Sequence, residues 1–341
     1  MPDPLPLALT MGEPGGIGPD ITILAWRDRR TRRLPAFYCY ADPGFLAERA
    51  KTLGVDCPIE QVDPSDAADC FARALPVVGL DATVDGEAGS PNPENAAAVI
   101  EAIAKAVGDI RSGVAGAIVT NPISKRALYA AGFQHPGHTE FLGTLSAAWT
   151  GQPGRPVMML VGPDLRAVPV TIHIPLRDVA AALNQDLIVE TGRIVVRDLR
   201  ERFAIAAPRL AITGLNPHAG EAGTLGVEER ETIGPAVDAL RAEGIAATGP
   251  HSADALFHEA ARARYDAAIC MYHDQALIPA KTLSFADTVN VTLGLAFIRT
   301  SPDHGTAFDI AGTGKADPSS LAAALRLAAE LCSNQSATSN G

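Results

Sequence analysis

Three histidines occupy the same kind of position. "VPVTIH" ends at His173, "LAITGLNPH" at His218 and "AAICMYH" at His273, each at or shortly past an apolar run that reads as a buried strand. In open parallel α/β sheets, ligands bind outside the carboxyl ends of the strands. Three neutral imidazoles delivered there are a sufficient protein set for a divalent metal with positions left open for substrate. No short-range motif such as H-E-x-x-H is present, so distant segments would have to assemble the site. The alternative is three unrelated strand-end histidines that cap or pack.

Other segments carry anion and close-approach signals. "MGEPGGIGPD" (11–20) is a glycine-rich strand-to-helix turn. It is not G-x-G-x-x-G and lacks the lysine of a P-loop. Its glycines serve either a close approach by a ligand or simply a tight turn. "TNPISKRAL" (120–128) places Lys125 and Arg126 at a helix start, where the helix dipole does not favour cations. They answer an anion or a partner chain, or form a solvated face. In "HPGHTEFLG" (135–143), Thr139 precedes a helical segment. Its hydroxyl and the nearby backbone N–H groups suit a phosphate or carboxylate oxygen, or plain N-capping.

The elements that must position these residues alternate. Strands are expected at 5–12, 114–122, 155–163, 166–175, 265–274 and 288–301, and a strand with its loop at 208–220, with a hairpin around Gly162-Pro163-Asp164. Helices are expected at 18–30, 94–113 (ended by Gly113), roughly 176–204, 228–244 with a kink at Gly234-Pro235, and 318–332. Such alternation predicts an α/β fold with a largely parallel sheet. The polar tail "SNQSATSNG" is expected to be disordered.

Bulk properties narrow the function. The 341 residues suffice for two domains, and 47% hydrophobic with 20% charged residues is a globular composition. A net charge of −11 argues against nucleic acid and anionic membranes as partners, while leaving room for a local basic pocket. The five cysteines form no C-x-x-C and read as reduced thiols of a cytoplasmic protein. No signal peptide and no membrane span are evident.

Taken together, seven segments resemble the 4-hydroxythreonine-4-phosphate dehydrogenase family of pyridoxal phosphate biosynthesis. They are "MGEPGGIGPDI", "TNPISK", "GHTEFL", "GLNPHAGEAGTLGVEE", "MYHDQALIPAK", "VNVTLGL" and "IRTSPDHGTAFDIAGTGKADP", spanning residues 11 to 318 in the family's order. The resemblance implies that His173, His218 and His273 are metal ligands. It implies that His138 and Thr139 contact substrate, and that Lys281, Asn290 and Arg299 hold its anionic and polar ends. Lys281 is also a plausible proton relay, and Asp254 a carboxylate near the substrate amine or reacting hydroxyl. The family is a homodimer whose metal site draws on both subunits, so these groups need not come from one chain.

The implied substrate is 4-phosphooxy-L-threonine, oxidised at C3 by NAD+ or NADP+ and then decarboxylated to 3-amino-2-oxopropyl phosphate. A divalent metal suits both halves, favouring the C3 alkoxide and then an electron sink. Three histidines favour zinc or cobalt over magnesium, although the family tolerates several ions.

A wider resemblance lies at the C-terminus. "DHGTAFDIAGTGKADP" (303–318) is similar to the cofactor loop of the isocitrate and isopropylmalate dehydrogenases, and "GGIGPD" to their "G-D-G-I-G-P-E". It implies cofactor contacts from Gly305, Thr306, Asp309 and Asp317. It also implies two α/β domains with a cleft between them: residues 1–130 with 302–333 forming one, and 131–301 a metal, substrate and dimerisation domain, followed by the tail 334–341. Asp309 in a ribose-facing position would repel a 2′-phosphate and favour NAD over NADP.

Ala296 stands where the family has proline, a change expected to loosen a turn near Arg299. "KTLSFADTVN" (281–290) is also unusual between two substrate contacts. Rival readings are a relative acting on threonate or erythronate phosphates or on a dihydrodiol carboxylate, a metal-dependent hydrolase, and a non-catalytic metabolite binder. The last two have no need of the cofactor loop or of three strand-end histidines respectively.

Overall fold

The computed structural model describes residues 4–135 and 137–339. In chain order its strands are β1 (Leu7–Thr10), β2 (Phe37–Tyr40), β3 (Ile59–Gln61), β4 (Leu75–Val78), β5 (Ile118–Thr120), β6 (Val157–Val161), β7 (Arg166–Pro169), β8 (Arg209–Thr213), β9 (Ala246–His251), β10 (Ala267–Cys270), β11 (Val289–Leu293) and β12 (Arg299–Pro302). Helices intervene between most of them, so the α/β class expected from the alternation is the observed one. The chain divides into two compact units, Met1–Pro156 with Leu295–Ser333, and Val157–Gly294 with Asn334–Gly341.

In the first unit the strand order is β3-β4-β2-β1-β5-β12, parallel throughout. With few aromatics available, alanine does much of the packing. Ala98, Ala102 and Ala106 of helix Ala96–Ser112 are buried, and the core collects Ala8, Tyr38, Val99, Ile103 and Ile118. Gly113 ends that helix in the left-handed region, as expected. The Tyr38 and Tyr40 hydroxyls both donate to Asp109 Oδ2, at 2.5 and 2.6 Å.

In the second unit the order is β11-β6-β7-β10-β8-β9. β6 pairs antiparallel with β7, forming the expected hairpin, and with β11. β7, β10, β8 and β9 run parallel. Leu160, Ala167, Ala211, Ala268, Cys270 and Ala276 form its core.

Several expectations need correction. The division expected at 130/131 and 301/302 falls instead at 156/157 and 294/295. Helix His138–Thr150 buries Phe141 and Leu142 in the first unit's core, which also takes Leu295 and Phe297. The run 288–301 is two strands and not one, broken at Gly294, whose φ of 81° is left-handed. The helical stretch 176–204 is interrupted at Asn184, whose Oδ1 accepts from Leu187 N and starts helix Gln185–Glu201. At Gly234-Pro235 the chain passes from a π-turn, Glu229–Ile233, into helix Gly234–Ala242. The final helix, Ser319–Ser339, includes residues 334–339, where the polar composition predicts disorder. Leu321, Leu325 and Leu331 are buried along it, and a helix so anchored extends cheaply, residue by residue. Residues 340–341 lie outside the described residues.

Candidate functional site

The three histidines are delivered by adjacent parallel strands. β10 lies between β7 and β8. His173 follows β7, His273 follows β10 and His218 follows β8, all at carboxyl ends. Three extra bonds past the strands hold the first pair of segments together: Val170 N donates to Cys270 O (2.8 Å), and Thr171 N and Oγ1 both donate to Met271 O (3.3 and 2.8 Å). The His173 and His273 rings then face each other, centroids 5.7 Å apart.

His273 opens helix His273–Leu283. Its Nδ1 lies 2.7 Å from Asp274 Oδ1. A carboxylate there favours the Nδ1–H tautomer and leaves the Nε2 lone pair available to an ion. His173 and His218 both take positive φ, 42° and 53°, a conformation that non-glycine residues adopt at a cost and that collects at functional sites. Among the described residues, no three His, Cys, Asp or Glu side chains stand close enough together to hold an ion. The donor chemistry fits a divalent metal, two of the expected ligands facing each other and the third leaving the neighbouring strand end.

Asp254 follows β9, the next strand beyond β8. Its Oδ1 accepts from the Ser252 hydroxyl, which holds the carboxyl below the usual range, with His218 adding in the same direction. Lys281, on the His273 helix, has its Nζ 5.6 Å from the Phe285 ring. Asn290 lies in β11 with a buried Oδ1 that has no hydrogen-bond partner.

In the first unit, basic groups gather near Arg299 at the start of β12. The guanidinium is buried and donates through Nε and Nη2 to Thr120 Oγ1, at 3.1 and 2.7 Å. Burial pushes its pKa down to about 10. His138 begins helix His138–Thr150, and its Nε2 is buried with no partner. Burial, then the charges of Arg299 and Lys125, push its ring well below the usual imidazole range, so it is a neutral donor or acceptor. Thr139 is the second residue of this helix, and the N-cap is Gly137, so its hydroxyl is not spent on capping. A fixed cation, a helix N-terminus and an orphaned ring nitrogen together suit an oxyanion.

Lys125 shows in the sequence only as a misplaced cation. It is the first residue of helix Lys125–Ala130, capped by Ser124. A Cβ built on Gly137 would lie 3.4 Å from its Nζ, and its charge reaches His138. The unfavourable dipole position is the signal that could find it.

The glycine-rich turn meets the C-terminal loop. Ile17 N donates to Thr306 O (2.9 Å). A Cβ on Gly15 would collide with Ser90 O, and one on Gly16 would lie 2.8 Å from Thr306 O, so these glycines answer the protein's own backbone. Buried Arg49 donates to Asp20 Oδ1 (2.5 Å), Gly16 O and Pro14 O, while Asp20 Oδ2 accepts from Gly312 N (2.7 Å). Turn and loop are thus one body. On the loop, Gly305 faces open space and Asp309 is exposed. Asp317 Oδ1 accepts from Ser319 N and Oγ, at 2.9 and 2.6 Å, at the start of the last helix.

Ala296 does not loosen its turn. Its N–H donates to Ser146 Oγ (2.8 Å), a bond that proline could not make.

The family described as "Pyridoxal phosphate biosynthetic protein PdxA" matches residues 33–328. The 4-hydroxythreonine-4-phosphate dehydrogenase of Bradyrhizobium diazoefficiens is 58% identical over 334 residues, covering 96% of each chain. The crystal structure of the enzyme of that name from Klebsiella pneumoniae superposes with a TM-score of 0.83 at 35% identity, covering 96% of this chain and 99% of that one. A terephthalate 1,2-cis-dihydrodiol dehydrogenase from Burkholderia xenovorans is more distant, with a TM-score of 0.62 at 28% identity, covering 96% and 98%. The chain belongs to the PdxA family of pyridoxal phosphate biosynthetic proteins.

Proposed function

We propose that this protein is an oxidoreductase of pyridoxal phosphate biosynthesis that oxidises 4-phosphooxy-L-threonine at C3 and decarboxylates the product to 3-amino-2-oxopropyl phosphate. The name and identity of its relatives support the reaction. The observation that carries the metal-dependent form of it is the side-by-side origin of His173, His273 and His218 at three parallel strand ends.

A divalent ion would supply a Lewis acid for oxygen charge, and a bound nicotinamide the hydride acceptor. Zinc or cobalt suits three imidazoles better than magnesium does. Exposed Asp309 and open Gly305, with Thr306 between them, are the side of the loop available to the cofactor, and a carboxylate there favours NAD+ over NADP+. The remaining roles fall to side chains. Arg299, His138, Thr139 and Lys125 bind the substrate's oxyanion. Asn290 offers its orphaned Oδ1 to a polar donor. Asp254 holds the ammonium group. Lys281 returns a proton to the carbon that loses CO2.

We place the active protein in the cytoplasm as a homodimer. Ile174, Leu176, Ile278, Leu283 and Phe285 are large apolar residues left exposed beside His173 and along the His273 helix. A second copy of the chain would cover them and contribute donors to the metal set.

The test is NADH formation from 4-phosphooxy-L-threonine, with NADP+ in parallel, before and after chelation and zinc repletion. Activity that dies with chelator and returns with zinc is the expected result. No activity from fully metallated protein would overturn the substrate assignment. Threonate and erythronate 4-phosphates and a dihydrodiol carboxylate would then be assayed. The similarity to the Burkholderia xenovorans enzyme favours the last of these as the second reading, and the buried Arg299 guanidinium near Lys125 and His138 favours the phosphorylated acids.

A further inference from the structure

Beyond β8 the backbone does something unusual. Five successive residues are left-handed: His218 (φ 53°), Ala219 (51°), Gly220 (75°), Glu221 (42°) and Ala222 (56°). All but Gly220 carry a Cβ, which crowds the backbone in this conformation. The surroundings must therefore impose it.

One buried side chain packs into this loop. Glu229, 6% exposed, reaches back from the start of the π-turn into the mouth of this loop. Its Oε1 accepts from Leu215 N (2.8 Å) and Asn216 N (2.7 Å), and its Oε2 from Asn216 Nδ2 (3.0 Å). The same amide donates to Glu228 Oε2 at 2.7 Å. The fit is tight on both sides. A Cβ on Gly220 would lie 2.5 Å from Glu229 Oε2, and one on Gly214 2.9 Å from Oε1. The carboxylate therefore occupies the space around which the left-handed turn closes, and that turn begins at His218.

We propose that Glu229 is a positioning residue for His218: through Asn216 and the loop backbone it fixes the direction from which this imidazole reaches the metal. The inference rests on the metal reading above. Glu229 is not itself a ligand. It acts through Leu215 and Asn216, which it grips just upstream of His218.

The test is Co2+ binding to the full-length protein, read by its visible absorption spectrum and by competition with a chelating dye. Wild type is compared with Glu229→Gln, Asn216→Ala and His218→Ala. Glu229→Gln keeps the shape but turns one acceptor into a donor facing the Asn216 amide. The expected result is roughly 10- to 100-fold weaker Co2+ binding with an altered spectrum and an unchanged KM for NAD+. Should Glu229→Gln fail to fold, Asn216→Ala removes the Oε2 tie, along with the amide's bond to Glu228, keeps both backbone bonds to Oε1, and carries the test. Wild-type affinity and spectrum in both variants would overturn the inference and leave the metal site standing. Equal Co2+ binding by wild type and His218→Ala would overturn the metal reading itself, and this inference with it.

Discussion

The rings of His173 and His273 face each other at 5.7 Å between centroids, inclined by 43°, because their strands, β7 and β10, are parallel neighbours. The pair is completed by a carboxylate, since Asp274 Oδ1 lies 2.7 Å from His273 Nδ1. Asp274→Asn should therefore weaken zinc binding by about 10- to 100-fold. His273→Ala should weaken it further. Chelator competition measures both, and wild-type affinity in His273→Ala would remove this residue from the ligand set.

Arg299 presents a planar fork that lysine cannot reproduce. Arg299→Lys should raise KM for the phosphorylated substrate roughly 10- to 150-fold, the equivalent of about 1.5–3 kcal/mol for hydrogen bonds to a charged group. KM for NAD+ should not move. Steady-state kinetics with each substrate varied in turn would show it, and an unchanged substrate KM would place the oxyanion elsewhere.

His138 links acid to stability. Its ring is pushed well below the usual imidazole range by burial, then by Arg299 and Lys125, whereas the unfolded chain titrates near about 6.5. Between those two values the unfolded state binds the proton and the native state does not, so stability rises with pH. The contribution is complete above about 6.5 and is lost as the pH falls toward the depressed native value. His138→Asn should flatten the decline. Urea unfolding midpoints at about pH 7 and about pH 5.5 measure it; parallel declines in the two proteins would contradict the assignment.

The Arg49–Asp20 pair, with side chains 4% and 0% exposed, ties the glycine-rich turn to the C-terminal loop. Arg49→Met strands a buried carboxylate and should cost about 3–5 kcal/mol. Adding Asp20→Asn should recover part of that loss, because no unpaired charge is then buried. Urea unfolding of the single and double variants tests the coupling, and additive losses would argue against it.

Much of the candidate site was legible because chemistry and periodicity coincide at strand ends. An apolar run followed by a histidine places the imidazole at a carboxyl edge, as β7, β10 and β8 each do. What was not legible depends on contacts far along the chain. Nothing local marks Ala219, Glu221 and Ala222 as left-handed; Glu229, from a later segment, binds Leu215 and Asn216 just before them. Helix His138–Thr150 could not be assigned to a unit from its own sequence, since Phe141 and Leu142 bury against a core that includes Leu295 and Phe297. Asp317, expected at the cofactor, also has Oδ1 accepting from Ser319 at a helix start, a contact that the likeness of the loop does not announce.

The strand order also sets a timetable for synthesis. β10 sits between β7 and β8 but is made after both. At about 5–20 residues per second, a ribosome that has finished β8 needs several more seconds to deliver the strand that joins it to β7. Until then the nascent sheet holds a gap at its centre, and His173 and His218 wait on opposite sides of it. The first unit waits longer, because β12, which completes its sheet beside β5, emerges only after the whole of β6 to β11.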